Sequence, residues 1–151
     1  MKSIISILGF FFLAVTAQAQ VDQPKEINTS QNFGDYTVHY NVFHSTDIPA
    51  KVAEAYKLVR GKDRALLNIS FTKTENGQTS LGLPAKVVGK TKNLMQQSQD
   101  LTFIEIKEGE ATYYLAPFVF NHEELLHFDI QVTEGEHKPL AVTFNRTLYT
   151  E

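Results

Sequence analysis

At 151 residues, with 14 Lys or Arg against 17 Asp or Glu, the chain has room for one domain and carries a mildly acidic, well-mixed charge. That balance argues against a binder of nucleic-acid backbones, which needs Lys and Arg gathered on one face. There is no cysteine, which removes thiol catalysis, cysteine-ligated zinc, iron–sulfur chemistry and disulfides.

The chain opens with Met1-Lys2-Ser3, an apolar run from Ile4 to Val15, and Thr16-Ala17-Gln18-Ala19-Gln20. These are the charged, apolar and small-residue regions of a secretory signal peptide. An apolar run of about twelve residues falls short of the roughly twenty that a membrane-spanning helix needs. The expected product is cleaved after Ala19, keeps no membrane anchor and is periplasmic. Residues 20–32 are polar and lack periodicity, so they read as a flexible N-terminal arm, leaving 33–151 as a single domain.

Tyr36, Val38, Tyr40 and Val42 alternate with Thr37, His39 and Asn41, the two-residue period of a half-buried strand. Ile48 to Tyr56 follows, where Pro49 suits a first helical turn and Val52 and Tyr56 share a face, predicting one short helix. Lys57 to Arg64, broken by Gly61, reads as a loop. Leu67, Ile69 and Phe71 define a second strand, and Asn76-Gly77 predicts a hairpin. The returning strand is expected over Ala85 to Lys92, with Pro84 and Gly89 suggesting an edge position or a bulge, and Lys86, Lys90 and Lys92 facing outward. Four more β segments follow at Leu101 to Lys107, Ala111 to Phe120, Leu125 to Val132 and Leu140 to Tyr149. Seven alternating strands with short turns predict an all-β, antiparallel sandwich of immunoglobulin-like type, with one short helix after the first strand.

The candidate chemistry is sparse. His122 and His127 frame His122-Glu123-Glu124-Leu125-Leu126-His127, but a zincin helix needs its histidines four apart, and here a turn runs into a strand. Brought together by folding, the two would offer a metal pair; the simpler reading is surface imidazoles. His39, Ser45 and Asp47 are the residue types of a nucleophilic triad, yet no Gly-x-Ser-x-Gly turn exposes the serine. Lys57, Arg60, Lys62 and Arg64 form the densest positive cluster, either a grip for a carboxylate or phosphate or a solvated loop. Glu105, Glu108, Glu110, Glu123 and Glu124 have no fixed separation that would make an acid–base pair. Tyr114, Phe118 and Phe120, if exposed together, would mark a partner surface. No Gly-rich phosphate loop, dinucleotide fingerprint or calcium loop occurs, so no cofactor is expected.

At Phe33-Gly34-Asp35-Tyr36-Thr37-Val38-His39-Tyr40, Phe43-His44-Ser45-Thr46 and Arg64-Ala65-Leu66-Leu67-Asn68-Ile69-Ser70, the chain resembles a family of short exported gammaproteobacterial proteins, domain of unknown function 4426. The resemblance continues through Thr112-Tyr113-Tyr114-Leu115-Ala116 to Phe144 and Tyr149. It implies a periplasmic location and one compact β domain, and it implies no activity and no catalytic residue. The matching segment directs attention to His39, Tyr40, Ser45, Tyr56, Arg60, Arg64 and Asn68 as a ligand or partner surface. The expected function is a non-enzymatic binding or accessory module for a periplasmic protein or small ligand. The alternatives are a small hydrolase or metal-dependent enzyme at His39 or at His122 and His127, and a carrier of a small ligand.

Overall fold

The computed structural model describes residues 27–151; the signal-peptide, cleavage-site and 20–26 expectations lie outside them. Ten strands follow in chain order: β1 Ser30–Phe33, β2 Tyr36–His44, β3 Arg64–Glu75, β4 Gln78–Thr79, β5 Lys86–Asn93, β6 Ser98–Leu101, β7 Ile104–Glu108, β8 Ala111–Val119, β9 Glu124–Thr133 and β10 Leu140–Leu148. A single 3-10 turn at Ser45–Asp47 and a short helix, α1 at Ala50–Ala55, sit between β2 and β3.

One sheet has the order β1-β2-β3-β8-β7, with β4 appended to β3, and the other runs β10-β9-β5-β6. All pairings are antiparallel. Setting aside β1 and β4, the orders β2-β3-β8-β7 and β10-β9-β5-β6 are those of A-B-E-D and G-F-C-C′ in an immunoglobulin-type sandwich. The expected fold class is therefore the observed one.

Alternation explains the interior. Val38 and Tyr40 of β2, Leu67, Ile69 and Phe71 of β3, and Tyr114, Ala116 and Phe118 of β8 turn inward to meet Leu126, Phe128, Ile130 and Val132 of β9 and Val142 and Phe144 of β10. The aromatic rings form a file across the gap between sheets. Tyr40 stacks on Phe144 at 4.3 Å, Phe144 on Phe128 at 4.7 Å, and Phe128 meets Phe118 edge-on at 5.3 Å. A second, smaller cluster lies on the outer face of the first sheet, where Ile48, Ala53 and Leu58 cover Leu66. This is why α1 exists: Ala53 plugs onto the sheet, while Val52 and Tyr56, on its shared flank as predicted, stay exposed.

Four expectations need correcting. The polar arm becomes ordered three residues earlier than expected, because Ser30 to Phe33 find free backbone partners along β2. The Asn76-Gly77 hairpin forms, with φ of 51° and 76°, but its return is only the two-residue β4. Strand β5 instead crosses to the other sheet and lies inside it, between β9 and β6, so it is neither the hairpin's partner nor an edge. The segment 101–107 is two strands: β6 ends in one sheet, Thr102 and Phe103 step across, and β7 joins the other. The β5 crossing is tied down as it leaves the first sheet. Leu83 N–H donates to Phe71 O at 2.7 Å, Thr112 N–H to Gly82 O at 2.8 Å, and Ala85 N–H to the Tyr114 hydroxyl at 2.8 Å.

Candidate functional site

Because β2 and β3 pair in register, His39 lies opposite Ser70 and Asn41 opposite Asn68. All four are in the outward phase of their strands, so they make a two-by-two polar block on the outer face of the first sheet. With Thr29 and Tyr40 they line a groove of about 290 Å³. None of these lining residues is a carboxylate, Lys or Arg. His39 Nε2 is 3.1 Å from Thr72 Oγ1, which fixes the ring against its neighbouring strand. Asn68 Oδ1 is buried and has no hydrogen-bond partner, the one such side-chain atom among the described residues. A buried carbonyl oxygen left unpaired costs about 1–3 kcal/mol, so a rotation of the Asn68 amide that turned this oxygen towards a donor in the groove would be stabilised.

A larger cleft of about 360 Å³ opens at one end of the sandwich, between Asp63, Asn93, Gln97, Asn121 and Glu124 among others. Its polar groups are already committed to one another. Asn93 Nδ2 donates to Gln97 Oε1 at 2.8 Å and to Glu124 Oε1 at 3.1 Å, and Asn121 N–H donates to Glu124 Oε2 at 2.8 Å. Burial alone would raise the Glu124 pKa, but the hydrogen bonds from Asn121 and Asn93 outweigh it and hold the carboxyl below its ordinary value of 4.5. Since the folded-state pKa lies under the unfolded one, this carboxylate contributes stability above about pH 4.5 and loses it as pH falls through the folded value. Glu124→Gln should therefore be less stable than the parent at neutral pH and should show a shallower loss of stability on acidification below pH 4.5. Urea titrations at stepped pH would check this, and parallel slopes for the two proteins would refute it.

The sequence-predicted surface divides. His39, Tyr40 and Asn68 come together at the groove, although the Tyr40 ring turns inward to the core. Ser45 is buried and clamps the loop after α1: Gly61 N–H donates to its Oγ at 2.9 Å, and the hydroxyl donates to Gly61 O at 3.1 Å. That arrangement is structural, and Ser45 lies six residues along the chain from His39, roughly 20 Å in an extended strand. No triad forms. Ser45→Ala should lower stability by about 1–3 kcal/mol, measurable by chemical denaturation, because Gly61 N–H loses its partner and Gly61 O keeps only Arg64 N–H. Arg60 donates to Thr46 O at 2.9 Å, which holds the same loop. Arg64 stands at the start of β3 beside Asp63, and Tyr56 is exposed at the end of α1.

His122 and His127 are engaged separately. His122 Nδ1 accepts from Thr150 N–H at 3.2 Å, and with His44, which reaches Tyr149 O at 2.8 Å, it holds residues 149–150 against the sandwich. His127 Nδ1 is 2.7 Å from Asn145 Oδ1 on the outer face of the second sheet. Among the described residues no three His, Asp or Glu side chains gather as a metal site. Tyr114, Phe118 and Phe120 are 5%, 2% and 3% exposed, so the aromatic partner surface considered from sequence is core instead.

One residue escaped the sequence reading. Arg146 occupies the inward phase of β10 between Phe144 and Leu148, yet it is charged. Its guanidinium lies 5.0 Å from the Phe144 ring centre and 5.9 Å from that of Tyr40, and it donates to Asn28 O and Asn145 O. Burial lowers its pKa from the ordinary value. An arginine on the apolar phase of the last strand was the available signal. It closes the open side of the sandwich and holds the backbone just before Thr29, at the groove wall.

These features define an immunoglobulin-like β-sandwich with a polar groove on its outer face. The family profile of Domain of unknown function (DUF4426) matches residues 30–151, and the chain belongs to that family. It is similar to a crystal structure of a DUF4426 family protein from Pseudomonas aeruginosa, with 34% identity, TM-score 0.70, and coverage of 81% of this chain and 94% of that one. It also shares its fold with FetP of uropathogenic Escherichia coli strain F11, recombinantly expressed in the periplasm, at 10% identity and TM-score 0.60, over 81% of this chain and 93% of that one. No curated protein matches the sequence. No helix among the described residues is long and apolar enough to cross a membrane.

Proposed function

We propose that this protein is an exported, periplasmic recognition module without catalytic activity, and that the groove around Asn68 takes its ligand. The carrying observation is the buried, unpartnered Asn68 Oδ1 in a groove otherwise built from His39, Asn41 and Ser70. A neutral lining favours an uncharged ligand, and an unpaired acceptor favours one bearing N–H or O–H donors. The block sits on two paired strands rather than on loops, so its geometry is held by the sheet. The signal-peptide pattern of residues 1–20 supports export.

Amide chemical shifts of the labelled protein, recorded as a low-mass periplasmic extract is added, test this reading. Shifts should concentrate at His39 to Asn41 and Asn68 to Ser70 and should vanish in Asn68→Ala. Shifts centred on the end cleft, or no shifts and no partner after crosslinking, would reject it.

A further inference from the structure

The segment from α1 to the start of β3 carries a feature that the groove does not use. Residues 50–64 contain five basic side chains, Lys51, Lys57, Arg60, Lys62 and Arg64, against two acidic ones, Glu54 and Asp63. The whole chain has a net charge of −3, so positive charge is concentrated here against an acidic remainder. The same segment displays three exposed apolar side chains: Val52 at 42%, Tyr56 at 37% and Val59 at 61%.

These groups are not on a loose loop. Ile48, Ala53 and Leu58 are buried against Leu66, and the Ser45–Gly61 hydrogen-bond pair and the Arg60–Thr46 contact close the base. The anchors face the sheet, and Lys51, Lys57, Lys62 and the three apolar side chains face solvent. The result is an anchored knob on the outer face of the first sheet. Neither cleft described above is lined by residues 50–62, and Asp63, near the end of the segment, borders the larger one.

We infer that this knob docks peripherally on an anionic bilayer surface, with Lys51, Lys57 and Lys62 at the lipid phosphates and Val52, Tyr56 and Val59 at the headgroup boundary. Charge complementarity names the sign of the partner. The interleaved apolar tips favour a yielding surface over a shaped one, since side chains with apolar bodies and charged or polar ends settle at such boundaries. The inference stands apart from the groove and does not depend on it.

Co-sedimentation of the purified protein with vesicles of phosphatidylethanolamine and phosphatidylglycerol tests it, with phosphatidylcholine vesicles as the neutral comparison. Binding should favour the anionic vesicles and fall with salt. Combined Lys51→Glu and Lys62→Glu should weaken it more than about tenfold, and Val59→Asp should weaken it too. Lys86→Glu with Lys90→Glu, the same change of charge on the other sheet, should leave binding within about threefold. All these positions are exposed, and circular dichroism verifies that each variant is folded. Equal binding to neutral vesicles would overturn the proposal, as would equal weakening by the β5 pair. So would displacement by inorganic phosphate at matched ionic strength, or retention of polyglutamate without any vesicle binding, which would assign the knob to an acidic polypeptide.

Discussion

Phe128→Ala should unfold with about 4 kcal/mol less free energy than the parent and melt roughly 10–20 °C lower. Phe128 is fully buried on β9 and touches rings from both sheets, stacking on Phe144 and meeting Phe118 edge-on. Truncation removes the transfer energy of a whole ring and leaves a cavity that its neighbours cannot fill, because Phe144 is already held by Tyr40 and by the Arg146 guanidinium. With no cysteine in the chain, no disulfide limits the unfolded state, so the loss falls on packing alone. Phe128→Leu keeps most of the volume and should cost about 1–2 kcal/mol. Urea denaturation of the three proteins checks the order, and an alanine variant within about 1 kcal/mol of the parent would mean that the aromatic file is not the core's centre.

The elements of this fold were far more legible than their partners. Two-residue alternation is a local signal, so it identified β2, β3, β8, β9 and β10, where one face meets the core and the other meets water. It says nothing about which strand lies beside which. Asn76-Gly77 correctly announced a turn, but the chain pays out only Gln78 and Thr79 before leaving the sheet, and β5 then pairs with β9, whose residues lie some forty positions later in the sequence. The step at Thr102 and Phe103 leaves only a slip of phase, Leu101 and Phe103 being followed by Ile104 and Ile106, and reading 101–107 as one strand passes over it. β1 was missed because Ser30-Gln31-Asn32-Phe33 has almost no apolar content; its pairing with β2 is made by backbone, which every residue carries.

The groove was half legible. The segments resembling the family directed attention to His39, Tyr40 and Asn68, and register then added Asn41 and Ser70, which composition alone could not distinguish from any other wet strand face. Ser45 and Arg60 were picked for their chemistry and turn out to hold the loop after α1, which needs its polar groups satisfied because Leu58 and Ala53 are buried beside them. Arg146 is the instructive omission. Reading Leu140, Val142, Phe144 and Leu148 as one face passes over the charge in their midst, and that charge is what fastens the N-terminal approach to the groove.

Gly89→Ala should be as damaging as a core truncation, although it adds only one methyl group, with an expected loss of about 3 kcal/mol. Gly89 sits in β5 with Ile130 on one side and Leu101 on the other. A Cβ placed there would lie 2.5 Å from Ile130 Cδ1 and 2.8 Å from Asp129 O. The first contact is relieved by a rotamer change, but the second is with backbone in a central pair of strands, where relief means pulling the ladder apart. The glycine that suggested an edge or bulge from sequence is thus explained by close approach of two strands in the middle of a sheet. Gly77 and Gly109 have open space around them and positive φ, so alanine there should cost only about 1 kcal/mol through backbone strain. A second substitution separates the two contacts at Gly89. Combining Gly89→Ala with Ile130→Val removes the terminal methyl but not the Asp129 carbonyl, and the double variant should stay at least as unstable as Gly89→Ala alone. Recovery to parental stability would show that the side chain, and not the spacing of β5 from β9, sets the requirement for glycine.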